Sequence, residues 1–247
     1  MGSTIKTNKA TLTITSEKVH KKYFRKGNAE RDFFVLKQID QSFEHTKYNE
    51  KLYRPIFVHG YDPETDTLIM EFFEGNNIQE IYMKHKKPDV FKFMGTWLGL
   101  MHSKCKTSKR QVPAFRDYNC SNVMMNNYEV VSVDPGYWMT LYENPGISFV
   151  TGAFSIWRSA LLNNPKSTFA CIRCYIKEYK THFSVDFFSV ANGVMEIMKR
   201  MYNNKTKVFC SKKNNVVKVF FMFMETIPFS IVLWMTYICT TTKKIAL

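Results

Sequence analysis

Three polar side chains near the middle of the chain have the types and spacing of a site for metal-bound phosphate. Asp117 is followed five residues later by Asn122, and Asp134 comes after two apolar runs separated by a turn. Magnesium prefers oxygen ligands and usually takes one or two carboxylates together with phosphate oxygens. Phosphoryl transfer also needs an acceptor hydroxyl aimed at the phosphate. The pattern therefore predicts that Asp117 orients or deprotonates a hydroxyl while Asn122 and Asp134 bind Mg²⁺.

The neighbouring segments predict the elements that would position this site. Alternating apolar residues predict strands at "ATLTIT", "KVHKKYF", "PIFVHGYD" and "DTLIMEFFEG", and "SNVMM" and "EVVSVD" predict a hairpin. Helical spacing predicts helices at "NAERDFFVLKQIDQSF", with Asn28 as its N-cap, and at "PDVFKFMGTWLGLMHSKC". Positions 152–199 are mainly helical in pattern. We expect an α+β fold with an N-lobe over residues 1–75 and a C-lobe over residues 76–200.

Composition limits the class of protein and its partners. The chain has 247 residues, 45% hydrophobic, which is enough for a buried core. Its net charge of +14 favours anionic partners such as nucleotide, nucleic acid or acidic lipid headgroups. Six cysteines are scattered, and the single "CIRC" pair has no second pair, which disfavours a zinc site. The first residues have no apolar signal segment, so a cytoplasmic location is expected.

Two motifs in this order resemble those of the protein-kinase-like superfamily. "FRDYNCSN" resembles the H-R-D-x-x-x-x-N catalytic loop, and "VDPG" resembles the D-F-G metal-binding turn. The similarity extends over about residues 10 to 165. It implies a two-lobed kinase-like fold with a small antiparallel sheet and one helix in the N-lobe and a mainly helical C-lobe. It also implies ATP and Mg²⁺ as cofactors, Asp117 as the catalytic residue, and Asn122 and Asp134 as metal ligands.

Further residues take on roles through the same resemblance. "KVHKKYF" is similar to the strand whose lysine binds nucleotide phosphates, and Lys21 is preferred because it shares a face with Val19 and Tyr23. The following helix resembles the one whose acid pairs with that lysine, and both Asp32 and Glu30 are candidates. "TLIMEFFEG" resembles the segment that leads into the hinge between lobes. The backbone around its residues Glu71, Phe72 and Phe73 would face the adenine.

Departures from the family pattern indicate a smaller relative of the protein kinases. Phe115 replaces the motif histidine, Pro135 replaces the aromatic residue of D-F-G, and "KATLTITSEK" contains no glycine for a phosphate loop. The chain is similar in these respects to aminoglycoside and lipopolysaccharide-core sugar kinases, RIO kinases and the atypical kinase of the KEOPS tRNA-modification complex. The resemblance implies a small-molecule, sugar or protein hydroxyl as the acceptor. The alternatives are an ATPase or scaffold subunit of an RNA-modifying assembly, joined to RNA or protein through the basic surface, and a nucleotide-binding pseudokinase adaptor.

The last part of the chain, residues 201–247, predicts a basic linker followed by an apolar helix. The uncharged run at positions 226–238 is shorter than the roughly 20 residues that a membrane span needs. Extending the run toward the N-terminus would place Glu225 in lipid, which is unfavourable. Pro228 would fit in the first turn of a helix that begins near Thr226. A helix packed on the domain is favoured, and contact of this segment with a membrane is the alternative.

Overall fold

The computed structural model describes residues 3–7, 10–43, 45–106, 111–115, 117–134, 140–208 and 215–242. Pro135 and Gly136 of the second predicted motif lie outside these residues. The described strands are β1 (Ser3–Lys6), β2 (Ala10–Ile14), β3 (Lys18–Tyr23), β4 (Thr46–Tyr48), β5 (Lys51–Pro55), β6 (Val58–Asp62), β7 (Thr67–Glu71), β8 (Asn76–Asn77), β9 (Val112–Ala114), β10 (Val123–Met125), β11 (Glu129–Ser132) and β12 (Thr140–Glu143). The described α-helices are α1 (Asn28–Phe43), α2 (Ile78–His85), α3 (Phe91–Lys104), α4 (Gly146–Asn163), α5 (Thr168–His182), α6 (Phe187–Val208) and α7 (Asn215–Thr242).

The first sheet is antiparallel, with strand order β1-β2-β3-β7-β6, and α1 packs on it. The predicted Asn28 cap is wrong, because Asn28 is the first helical residue and its amide donates to the carbonyl of Arg25. The cap comes instead from the β6–β7 turn, where the Asp66 carboxylate accepts from the backbone N–H groups of Gly27 at 3.1 Å and Ala29 at 3.3 Å. Such a cap satisfies N–H groups that the first helical turn leaves unpaired. It thereby fixes α1 to the sheet.

The second sheet joins the two halves of the chain. Its order is β4-β5-β11-β10-β8, and β5 pairs with β11 in parallel, with Arg54 opposite Val131. Strands β4 and β5 precede residue 75, whereas β10 and β11 follow it. The hairpin that separates Asn122 from Asp134 is therefore held by strands from the first part of the chain.

The C-terminal part is helical, as predicted, and its central contact is between α3 and α5. The two helices meet at Gly95 and Gly99. A Cβ atom at Gly95 would lie 2.3 Å from the carbonyl oxygen of Tyr175, and one at Gly99 would lie 2.8 Å from that of Tyr179. Because these distances are too short for any side chain, the two helices can approach this closely only through glycine. The contact fixes α3, the helix that leads toward Asp117.

The last two helices differ from the prediction in their bounds. Helix α6 continues to Val208, into the predicted basic linker, and α7 begins at Asn215, so Pro228 lies inside α7 rather than in its first turn. Helix α7 packs on the domain through the buried side chains of Phe229 and Leu233. Among the described residues, no helix has the length and apolar character that crossing a membrane requires.

Candidate active site

Strand β3 brings Lys21 to the carboxylate that follows β11. The Lys21 Nζ lies 2.9 Å from Asp134 Oδ1, and its side chain is only 11% exposed. Residues 113 positions apart are thus in direct contact. The ammonium also lies 4.9 Å from the centre of the Tyr23 ring, two residues along the same face of the strand. An aromatic face at this distance attracts a cation, so Lys21 is held between a ring and a carboxylate.

Pairing of β10 with β11 places Asn122 beside Asp134 in the same hairpin. Val123 is opposite Ser132, and beyond this pair the N–H of Val133 donates to the Asn122 carbonyl at 2.9 Å. Asp134 is the next residue after Val133. The two predicted metal ligands therefore stand at adjacent ends of two paired strands, although twelve positions separate them in the sequence.

The loop before β10 connects Asn122 to Asp117. The Asn122 side-chain amide donates to the Asp117 carbonyl at 3.0 Å. Asn119 holds the rest of the loop, since its amide donates to Asp117 Oδ1 at 3.1 Å and its Oδ1 accepts from the N–H groups of Ser121 and Asn122. The loop is also buried on one side. There the Tyr118 ring stacks on Trp97, and the Tyr118 hydroxyl donates a hydrogen bond to the backbone carbonyl of Met94. Contacts therefore connect Lys21 to Asp134, the neighbouring Val133 to Asn122, and Asn122 to Asp117.

Phe115, at the position of the motif histidine, belongs to the core. Its ring is buried against Trp97 and Tyr118, and its N–H donates to the Ser148 hydroxyl at 2.7 Å. The aromatic residue thus anchors the loop by packing and by a backbone hydrogen bond to α4. It does not use a side-chain hydrogen bond for this purpose.

The acidic partner of Lys21 differs from the predicted one. Asp32 is buried and accepts from the Tyr23 hydroxyl at 2.5 Å and from Arg31 at 2.8 Å, while Glu30 accepts from Tyr61 at 3.1 Å. Neither acid is bonded to Lys21 in this structure, where Asp134 takes that place. Burial, and next the charge of Asp32, raise the pKa of Tyr23 above its usual range. Asp32 is therefore linked to Lys21 indirectly: it is hydrogen-bonded to Tyr23, and the Tyr23 ring contacts the Lys21 ammonium.

In the segment predicted to face adenine, Glu71 to Phe73, two of the three backbone N–H groups are already hydrogen-bonded within the protein. The N–H of Glu71 donates to the carbonyl of Phe57, and that of Phe72 donates to the carbonyl of Glu17. Within the described part of the chain, the N–H of Phe73 has no hydrogen-bond partner. Beside it lies an apolar cluster that contains Val19, Met70 and Met124. The cluster offers an apolar surface for a flat heteroaromatic ring, and the N–H of Phe73 is a donor for a ring nitrogen.

The side chain of Glu71 belongs to a different feature, on the opposite face of β7 from Met70. It accepts two hydrogen bonds from Arg54 and one from the N–H of Phe57 at 2.7 Å. Arg54 also donates twice to Glu129, each time at 3.1 Å, and once to the Pro55 carbonyl. Burial by itself would lower the pKa of Arg54, but the hydrogen bonds to Glu129 and Glu71 raise it above the usual value. A cavity of about 550 Å³ lies on this side, lined by Arg54, the segment 71–76 and the segment 125–129.

The donor set fits magnesium bound together with phosphate. Asn122 and Asp134 supply oxygen atoms, the type of ligand that Mg²⁺ prefers. Among the described residues, no three His, Cys, Asp or Glu side chains come together as a metal site. An ion held here would therefore depend on these two residues, on water and on the oxygens of a bound phosphate.

Three residues of the site were missed in the sequence. Asn119 lies inside the predicted loop, and its position between Asp117 and Asn122 is a local signal that could have been used. Tyr23 and Arg54 gave no such signal, because tertiary packing determines their partners. Tyr23 on β3 contacts Asp32 on α1, nine positions away, and Arg54 contacts Glu129, 75 positions away.

Comparison of the structure with solved structures identifies neighbours with the same fold. A choline/ethanolamine kinase family protein from Mesorhizobium loti matches with a TM-score of 0.63 and 9% identity, over 96% of this chain and 92% of its own. The aminoglycoside phosphotransferase APH(2'')-Ib, in an ADP-bound structure, has a TM-score of 0.56 and 11% identity over 96% and 94%. A Plasmodium vivax ethanolamine kinase has a TM-score of 0.55 and 11% identity over 92% and 82%.

Sequence comparison gives no match of this kind: no protein-family model matches the chain, and a comparison with curated proteins finds no relative. The structural neighbours are members of the protein-kinase-like superfamily. At these identities they establish the fold, and the predicted kinase-like α+β architecture is confirmed.

Proposed function

We propose that this protein is an ATP- and Mg²⁺-dependent phosphotransferase that acts on the hydroxyl group of a small molecule. The observation that carries the proposal is that Lys21 contacts Asp134, that Val133 beside Asp134 is hydrogen-bonded to Asn122, and that Asn122 is hydrogen-bonded to Asp117. A cation, metal-binding oxygens and a carboxylate in this order are what in-line phosphoryl transfer requires.

The nucleotide would bind where the apolar cluster meets the segment 71–75. The side chains of Val19, Met70 and Met124 would cover the adenine faces, and the N–H of Phe73 would donate to a ring nitrogen. The ADP-bound state of one structural neighbour supports a nucleotide in this fold. The two N–H groups that are already bonded, those of Glu71 and Phe72, would hold the segment in place.

The phosphates would lie between Lys21 and the β10–β11 hairpin. Lys21 and Asp134 are an ion pair of one ammonium and one carboxylate, so a phosphate oxygen can replace the carboxylate as the partner of the lysine. Asp134 and Asn122 would then hold Mg²⁺, which supplies charge neutralisation to the phosphate oxygens. Tyr23 would keep the ammonium in position during this exchange, because its hydroxyl is fixed by Asp32.

Asp117 would orient the acceptor hydroxyl and accept its proton. Asn119 donates to one carboxylate oxygen of Asp117, and Asn122 donates to its backbone carbonyl. These bonds hold the carboxylate in one direction relative to the Mg²⁺ ligands. A fixed carboxylate within reach of the hydroxyl is the geometry that general-base assistance needs.

The choice of a small-molecule acceptor rests on the structural neighbours. They are choline or ethanolamine kinases and aminoglycoside phosphotransferases, which act on small molecules. Sugar and protein hydroxyls belong to the same reaction class. The RNA-assembly subunit of the sequence analysis stays a prediction, which RNA binding at low salt would test.

The experiment measures ADP release from Mg-ATP with purified protein and a panel of amino alcohols, aminoglycosides and sugars. We expect turnover with at least one acceptor, and a loss of about 10²–10⁴-fold in Asp117→Asn, the range for removal of a catalytic base. Nucleotide binding should persist in Asp117→Asn and weaken in Asp134→Asn. The matched control is Glu64→Gln, an exposed acid in the β6–β7 turn, which should leave all values unchanged.

Two results would contradict the proposal. Failure of the wild type to bind Mg-ATP would remove the nucleotide site altogether. Binding without transfer to any acceptor, unchanged in Asp117→Asn, would favour the pseudokinase adaptor.

A further inference from the structure

Helix α7 has an apolar row on the face that points away from the domain. Four side chains at helical spacing, Ile227, Ile231, Met235 and Ile238, are 49%, 54%, 56% and 55% exposed. The opposite face is buried at Phe229 and Leu233. The row spans roughly 16 Å along the axis, and scattered single exposures would not follow the helical period in this way.

The row itself carries no charge, and basic side chains lie on the neighbouring helix α5. Positions 226–242 of α7 contain no charged residue. On α5, which packs against α7, Arg173 and Lys177 are exposed, and Lys180 lies 4.3 Å from the centre of the Tyr237 ring. From position 197 to the end, the sequence has nine basic residues and one acidic residue. Two acids also lie on this side of the described structure, Asp186 near Tyr237 and Glu178 on α5, against the three basic side chains of α5.

We infer that the outward face of α7 binds the surface of a membrane that contains anionic lipids. An amphipathic helix with an apolar row and flanking basic residues lies in the plane of the interface, with the row at the acyl boundary and the cations at the headgroups. This geometry needs no crossing of the bilayer, in agreement with the absence of a spanning helix among the described residues. The phosphoryl-transfer site is formed by other elements, so the two proposals stand independently.

The test is flotation of the full-length protein with vesicles. We expect binding to phosphatidylcholine vesicles that contain about one third phosphatidylserine, weaker binding to phosphatidylcholine alone, and release as salt rises. The Ile231→Ser/Met235→Ser variant should bind at least about tenfold more weakly. Ile5→Ser is the matched control, since Ile5 is an exposed isoleucine on strand β1, 49% exposed, and should bind as the wild type does.

A charge variant separates the basic contribution from the apolar one. Arg173→Gln/Lys177→Gln should lose about fivefold per removed charge on the anionic vesicles and little on the neutral ones. Circular dichroism checks that each variant is folded.

Three outcomes would overturn the inference: no binding to anionic vesicles, equal binding to both vesicle types, or unchanged binding of the serine variant. A wild-type dimer that the serine variant converts to monomer, measured by light scattering, would also overturn it. In that case a second copy of the chain covers the row.

Discussion

Lys21 and Arg54 are equally buried cations that lie on neighbouring sheets, and their partners differ in number. Each side chain is 11% exposed. Lys21 has one carboxylate partner, Asp134, within the described part of the chain, whereas Arg54 makes five hydrogen bonds to two carboxylates and a carbonyl. Five is also the number of N–H donors that a guanidinium has.

The difference separates a residue that can exchange its partner from one that cannot. An ammonium is a point charge on a flexible stem, so replacing Asp134 by a phosphate changes little else. Arg54 joins the end of β7 to β11, and its carbonyl accepts from Trp97 at 2.8 Å. It therefore fixes the segment 71–75, the hairpin and α3 to one another. We therefore expect Lys21 to exchange its partner for a ligand and Arg54 to keep a structural role.

The largest expected effect is the loss of catalytic activity in the Lys21→Met variant. We expect kcat/KM to fall about a thousandfold, roughly 4 kcal/mol, because the phosphate charge loses its cation. The free energy of unfolding should change by less than about 1 kcal/mol, since the carboxylate of Asp134 is partly exposed. Steady-state kinetics and urea unfolding measure the two. Lys22→Met, at the exposed neighbouring position, is the control and should change neither.

The second largest effect is a loss of stability in the Arg54→Met variant. We expect the free energy of unfolding to fall by about 3 kcal/mol, because Glu71 and Glu129 are left close together without their cation. Urea unfolding followed by tryptophan fluorescence gives the value, and Arg173→Met, an exposed arginine, should stay within about 0.5 kcal/mol of wild type. A stability loss no larger than that of Lys21→Met would remove the distinction drawn between the two cations.

The third effect extends the comparison to a buried neutral group, His102. Burial lowers the pKa of His102 from 6.5 to about 3, and Nδ1 is 2.8 Å from the Tyr179 hydroxyl. Between these values the unfolded chain takes up a proton that the folded protein excludes, so stability falls as the pH falls. From pH 7 to pH 5 the loss is about 2 kcal/mol.

His102→Gln should remove most of this pH dependence. A smaller slope should remain from His182, whose pKa is also lowered by burial while Glu178 acts in the opposite direction. His85→Gln, an exposed histidine, is the control and should retain the full slope. Urea unfolding at a series of pH values gives the slopes, and an unchanged slope in His102→Gln would show that another group is responsible.

The smallest effect is expected for Tyr23→Phe. The ring beneath Lys21 remains, but the buried Asp32 loses one hydrogen-bond donor, so stability should fall by about 1–2 kcal/mol. Turnover should change less than about tenfold, because the ammonium keeps its ring and Asp134. A loss of turnover as large as that of Lys21→Met would instead give the hydroxyl a direct part in phosphate binding.

Regular local patterns made much of the fold predictable. Helix α1 has the predicted bounds, since its apolar residues follow the helical period. Strands β2, β3, β6, β7, β10 and β11 fall within the predicted segments. Strands β4 and β5 were missed because "TKY" and "KLYRP" have little alternation. Strand β5 is held by pairing with β11, 75 or more positions away, and β4 pairs only with β5 among the described strands.

The proximity of the three motif residues was predictable from the sequence, whereas the hydrogen-bond partner of Lys21 was not. Asp117, Asn122 and Asp134 are separated by short elements whose geometry is regular, so their proximity follows from a hairpin. The partner of Lys21 depends on which of several acids a folded sheet brings near, and spacing along α1 could not decide this. In the same way, Pro228 suggested a helix start, whereas α7 begins at Asn215, on residues that also have apolar helical character.

The parallel pairing of β5 with β11 has a consequence for how this polypeptide can be divided. A fragment ending at residue 75 would carry β5 with an open edge where β11 belongs, and exposed edges of this kind promote aggregation. The remainder would carry a hairpin deprived of its neighbour. Coexpression of both pieces should restore solubility to each, since every piece supplies the strand that the other lacks.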